Sequence, residues 1–370
     1  MPRLSGSGFA ARYDGSTTDD ATQRWVATDE SGWDGEQLIG RFDRFMTIGS
    51  VACDDEHGER VLQSLRRAAN LGATGEVKFK HLRRNPGRLE ALAETMVSTD
   101  LLGNRCMIYV VDKHFMAASK LVDLLIEEHT SSRGINLYAA GANIVMGRAL
   151  TNEAASELGA EQHLDLLQNV VDFASMRNVG GGQVSVEELM ACLYRARAAC
   201  GAGFVADVLG LALRCETEAH DHLAHLDRLT REDTPAAAAA PMEPLVPSVA
   251  ALIGCWVERL GPISVLADEQ LTLTDEILDV FARLSAMSLN DGRNGWTRGP
   301  HSASVHRGSS DDHPSIQLAD LVAGAGLAVA RGEVDPTRGV PPTLRAAVLG
   351  ALAPISLLPH DEPGQIVAST

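Results

Sequence analysis

What this sequence lacks narrows its class first. Its six cysteines form no Cys-x-x-Cys pair and no dense framework, which argues against a disulfide scaffold and for reduced thiols in the cytoplasm. The opening stretch, MPRLSGSGFAARYDG, has no apolar core of the kind that directs secretion. The most apolar runs, such as LVAGAGLAVA at 321–330, are too short to cross a bilayer, so no membrane partner is expected. There is no internal repeat. Cations are scarce: 32 Lys and Arg against 49 Asp and Glu give a net charge of −17. That balance disfavours a protein that coats nucleic acid, while leaving room for a locally basic groove.

What is present reads as an ordinary folded chain. The hydrophobic fraction is 45% and the charged fraction 22%, and 370 residues suffice for one large core carrying an insertion. Residues 1–23, rich in Gly, Ser, Thr and Asp, read as a flexible arm. RWVATDESG, from 24, and RFMTIGSVAC, 44–53, read as strands. EHGERVLQSLRRAANLG reads as an amphipathic helix stopped at Gly72. EVKFKHL reads as a short extended piece, and GRLEALAETMVSTDLLG as another helix. RCMIYVVDKHF, 105–115, has the unbroken apolar run of a strand covered on both faces.

From about Ala117 to Leu260 the chain reads almost wholly as helix, with Ser185 as an N-cap and a Pro/Ala linker at 233–247. PISVLADEQ, 262–270, is a further strand. Residues 291–310 read as a Gly-, Ser- and Arg-rich loop. PSIQLADLVAGAGLAVA reads as a helix opened by Pro314, whose small residues would let it lie close to a sheet. The expected organisation is a first core portion at 24–130, a helical insertion at 131–245 and a second core portion at 246–370.

Three core-like strands end on carboxylates: Asp29, Asp112 and Asp268. Asp320 sits on an otherwise apolar helix, one turn from Gln317, and Glu76 opens EVKF. A single acid at a strand end is commonly a turn or cap residue. Several at one sheet edge, where sites gather in open sheets, would repel unless cations bridge them. Hard ions such as Mg²⁺ or Mn²⁺ take such oxygen ligands, and a pair of them serves phosphoryl transfer.

TDESG on the first strand, GEVKF, YVVDK, a later strand ending ADE, and IQLADLVAGA resemble, in order, the motifs of the "domain of unknown function 3800" family. They span residues 24–330. The resemblance implies a ribonuclease H-like α/β fold, a mixed sheet flanked by helices, with a large helical insertion. It also implies a metal-dependent nuclease with a catalytic set of Asp29, Glu76, Asp112, Asp268 and Asp320. Asp29, Glu76, Asp112 and Asp320 would be the ligands of two Mg²⁺ or Mn²⁺ ions.

The basic residues are unevenly placed. Lys78, Lys80, Arg83, Arg84 and Arg88 follow Glu76. Arg293, Arg298 and Arg307, interleaved with Trp296, His301 and His306, run into the Asp320 helix. These stretches would steer a phosphate backbone of RNA or DNA to the acids, with Trp296 stacking on a base. Lys113 and Gln317 complete the expected substrate contacts. The alternatives are a scaffold whose helical insertion binds a protein partner or a second copy, and a hydrolase of small phosphoesters. CETEAHDHLAHLD, 215–227, groups Cys215, His220, His222 and His225. Its Glu216–His220 and Glu218–His222 pairs read as surface contacts rather than as a zinc site.

Overall fold

The structure, a computed structural model, describes residues 24–40, 43–72, 75–231, 240–269, 274, 277–278, 287–289, 296–298, 303–360, 362 and 364–367. The expected arm at 1–23 and residues 233–239 of the expected linker lie outside these residues, and the helix Leu245–Leu260 begins before the expected end of the linker. The fold is mixed α/β. Among the described residues, no helix is long and apolar enough to cross a membrane.

Five strands make one mixed sheet. β1 (Arg24–Ser31), β2 (Phe45–Val51) and β3 (Cys106–Asp112) are the strands read from the sequence, as is β4 (Ile263–Asp268). β5 (Met287–Leu289) and β6 (Trp296–Arg298) pair in a separate two-stranded antiparallel sheet. β7 (Ala303–Gly308) closes the main sheet, whose order is β3–β2–β1–β4–β7. β2 runs antiparallel to both β1 and β3, while β4 and β7 run parallel to β1. β2 and β3 are buried along their whole length, as their unbroken apolar runs require.

Strand β7 corrects the reading of 291–310 as loop. ASVHRG carries one aliphatic β-branched residue, so its pattern is weak; pairing with β4 along six residues supplies what the pattern does not. EVKFKHL is likewise not extended throughout: Phe79–His81 forms a 3₁₀ turn.

Two apolar layers cover the sheet, one on each face. On one face lie α1 (Asp55–Ala68) and α2 (Pro86–Val97), together with α9 (Pro314–Val334) and α10 (Pro342–Gly350). On the other lie α3 (Lys113–Leu121) and α8 (Leu245–Leu260). Trp256 of α8, fully buried, donates from Nε1 to Ser50 Oγ at 2.8 Å and so ties the helix to β2.

Between α3 and α8 the described residues are largely helical, as expected, but in broken runs. It includes α4 (Ala160–Ala174), α5 (Val186–Ala199), α6 (Phe204–Ala212) and α7 (Glu216–Arg231). Ser185 caps α5 in a capping box with Glu188. Two π-helical turns, Val122–Glu127 and Ala149–Glu153, interrupt the regular repeat.

Helix α9 positions the site. Its residues from Ser315 to Ala319 are all buried. Gly49 of β2 lets it press on the sheet: a Cβ there would collide with the backbone of Ala319 and Ala323. Thr47 Oγ1 donates to Ala323 O at 2.8 Å. At the helix start, Asp55 Oδ1 accepts from Ser315 N at 3.2 Å and from Ser315 Oγ at 2.6 Å. The expected close seat of a small-residue helix on a sheet is therefore observed, and it is pinned at both ends of the contact.

Candidate metal centre

β1 runs through a buried segment into Asp29, and Thr28 pairs with Ala267 of β4 in parallel register. Asp29 and Asp268 are the next residues on these two strands, which lie about 4.8 Å apart where they pair. Asp29 also pairs with Gly49, the residue against which α9 is seated. Asp320 follows Ala319 on that helix, so the β1, β4 and α9 acids converge at the same sheet edge. Gly32, at φ +79°, turns the chain away immediately afterwards, a left-handed conformation that glycine adopts without strain.

The electrostatics reflect the convergence. Burial pushes the Asp29 carboxyl well above the usual range, and the charges of Glu30, Asp268 and Asp320 push it further. Its Oδ1 accepts from Glu30 N at 2.8 Å, a partial offset. Burial, followed by Asp268, raises Glu30 to about 7. Burial also raises Asp268 and Asp320. Asp320 Oδ2 accepts from Phe79 N at 2.9 Å, which fixes the carboxylate against the segment after Glu76. Glu30, which stands beside Asp29 at the end of the strand, is not among the site residues expected from the sequence. Its signal was visible as the second acid of TDESG, but strand alternation assigns it to the opposite face from Asp29.

Glu76 is held differently. Burial works against its ionised form, but Ser310 Oγ donates to Oε1 at 2.7 Å and Lys78 Nζ lies 3.0 Å from Oε2, so its pKa falls below the ordinary value. Gln317 binds this segment down. Its Oε1 accepts from Val77 N at 3.2 Å and its Nε2 donates to Ser310 O at 2.7 Å. Gln317 is thus a buried positioning residue, which corrects its expected role as a substrate contact.

Two further expectations are corrected. Asp112 does not join the cluster. Its side chain accepts from His114 N at 3.0 Å and Phe115 N at 3.4 Å, capping α3, and pairs with Arg44 at 2.6 Å. The register explains why. Gly49, opposite Asp29, pairs with Ile108, whereas Asp112 pairs with Phe45, four residues or roughly 13 Å further along β3 and two strands across. Lys113 is fully buried with Nζ 2.7 Å from Asp34, and is no phosphate contact.

A groove of about 250 Å³ adjoins Asp320, lined by Lys78, Lys80, Arg83 and the Asp43–Arg331 ion pair. Lys80 and Arg83 are exposed there. Arg84 is exposed on the turn before α2, outside that lining. Arg307 shares its register with Ala267, on the face opposite Asp29 and Asp268. His306 packs its ring 5.5 Å from Trp25. Trp296 and Arg298 have only their backbone described, in β6; Arg293 and His301 lie outside the described residues.

The donor set on the sheet edge is all oxygen, which suits hard divalent ions. No protein-family model, no curated protein and no solved structure matches this chain.

Proposed function

We propose that this protein is a divalent-metal-dependent nuclease with a ribonuclease H-like core, as its resemblance to the "domain of unknown function 3800" family implies. One observation carries the reading. Asp29, Asp268 and Asp320 come from three separate elements to one buried edge, and burial, with repulsion from neighbouring acids, holds their carboxyls above the ordinary range. Such a cluster is stable only if protonated or neutralised by cations. Two features support it: a five-stranded mixed sheet in which only β2 runs against the other strands, and the acids near the ends of β1 and β4. On this reading the helical stretch between β3 and β4 is an insertion.

Asp29, Asp268 and Asp320 would hold two Mg²⁺ or Mn²⁺ ions, with Glu76 and Glu30 bordering them. Bound ions of this class polarise phosphoryl oxygens and lower the pKa of water. The chain's own contribution is orientation. The Phe79 N–H fixes Asp320, and Gln317 and Ser310 hold the Glu76–Lys78 segment beside it. Lys80 and Arg83, on the groove, attract the backbone of RNA or DNA, and Lys78 sits between the groove and the acids.

The test is Mn²⁺ calorimetry and cleavage of labelled oligonucleotides, on wild type and Asp29→Asn. The expected result is Mn²⁺ binding that the substitution abolishes, with cleavage falling by about 10²-fold or more. Mn²⁺ binding unaltered by Asp29→Asn would overturn the reading. Hydrolysis of free nucleotides without oligonucleotides would convert it to a small phosphoester hydrolase, and absence of both activities with no metal bound would leave an interaction scaffold.

A further inference from the structure

The helical segment between β3 and β4 holds a cluster of different chemistry. His129 lies in the short helix Glu128–Ser131, immediately after the π-helical turn Val122–Glu127. Cys215 directly precedes α7, and Glu218 sits in its first turn. The His129 nitrogen, the Cys215 sulfur and a Glu218 oxygen all lie within 4.8 Å of one another, with His129 Nδ1 2.8 Å from Glu218 Oε1. Cys215 is fully buried, and the His129 and Glu218 side chains are only 13% and 15% exposed. The other Glu218 oxygen, Oε2, is buried with no hydrogen-bond partner among the described residues.

Zinc bonds of about 2.0–2.3 Å in tetrahedral geometry set ligand atoms roughly 3.3–3.6 Å apart, a span bracketed by the separations seen here. An imidazole and a thiol beside a carboxylate form a mixed set suited to zinc rather than to Mg²⁺ or Mn²⁺. The orphaned Oε2 is an independent mark: a buried carboxylate oxygen without a donor is rare and calls for a partner such as a cation or a water.

We propose that His129, Cys215 and Glu218 bind one zinc ion, which clasps the start of α7 to the helix that follows β3. On binding, the Cys215 thiol gives its proton to solvent and the thiolate becomes the ligand. Its weak hydrogen bond to Leu211 O, at 3.3 Å, is exchanged for the metal bond. Three protein ligands leave the fourth position to water. The site uses none of the sheet-edge acids and does not depend on the nuclease reading.

The test uses the full-length chain, stripped with a chelator and titrated with Co²⁺. The expected result is a thiolate-to-cobalt charge-transfer band in the near ultraviolet that saturates with one equivalent at this site and is displaced by Zn²⁺. Cys215→Ser removes the band. His129→Gln and Glu218→Gln, which keep the thiol, each weaken Co²⁺ binding by at least about tenfold. Asp29→Asn leaves the band intact, because carboxylates on the sheet give no such transition. Circular dichroism establishes that each variant is folded. A wild type without the band would overturn the proposal, as would a band that survives Cys215→Ser or an affinity indifferent to His129→Gln.

Discussion

Glu30 shows how much one carboxyl can cost. Held at about 7 instead of 4.5, it opposes folding by roughly 3 kcal/mol once ionised. Below pH 4.5 folded and unfolded chains both carry the proton and the group is neutral to stability. As pH rises from 4.5 to 7 the unfolded chain releases its proton first, so stability falls through that window and stays reduced above it. Glu30→Gln is therefore expected to gain about 3 kcal/mol over wild type at pH 8 and little at pH 4.5, measured by urea unfolding without metal. Mn²⁺ is expected to raise the melting temperature of wild type more at pH 8 than at pH 5.5, since the ions need ionised carboxylates. Lys113 makes the opposite case. Its buried ammonium is matched to Asp34, so Lys113→Met is expected to cost about 3 kcal/mol in urea unfolding while leaving cleavage per folded molecule unchanged.

At the level of elements, the seat of α9 on β2 decides whether an acid on a helix can meet acids on strands. A methyl group at position 49 would strike the helix backbone, not a side chain that can swing away. Gly49→Ala is expected to destabilise the protein by about 2 kcal/mol or more. Because α9 must lift, it should also weaken Mn²⁺ binding, which Gly332→Ala, at the far end of the helix against the Val340 side chain, should leave close to wild type. Calorimetry on the two variants checks this. The small residues of VAGAGLAVA made the close seat legible in the sequence. Which strand would receive it was not, because the glycine that admits the helix lies some 270 residues away on another element.

The whole molecule carries a net charge of −17, yet its groove beside Asp320 presents Lys78, Lys80 and Arg83. A nucleic acid must then be drawn by a local field against a repulsive background. Replacing Lys80 and Arg83 with Gln is expected to weaken oligonucleotide binding across sequences and to reduce the salt slope by about one for each phosphate that is no longer neutralised. Filter binding over a range of salt concentrations measures both. Substitution of Arg307, on the opposite sheet face, should leave the slope unchanged.

The sequence by itself determined the strands β1 to β4 and α9, because unbroken apolar runs and small-residue helices have few places to go but a covered sheet. It also brought forward Asp29, Asp268 and Asp320, since an acid that ends a buried strand or interrupts an apolar helix is chemically conspicuous. Tertiary structure alone decided which conspicuous acids meet. Asp112 has the same local signature as Asp29, but register carries it four residues past the cluster and Arg44 neutralises it. It likewise brought His129 to Cys215 and Glu218 across some 86 residues. Spacing along one chain records helix faces and strand sides; the meeting of distant elements is set by packing, and no local pattern encodes it.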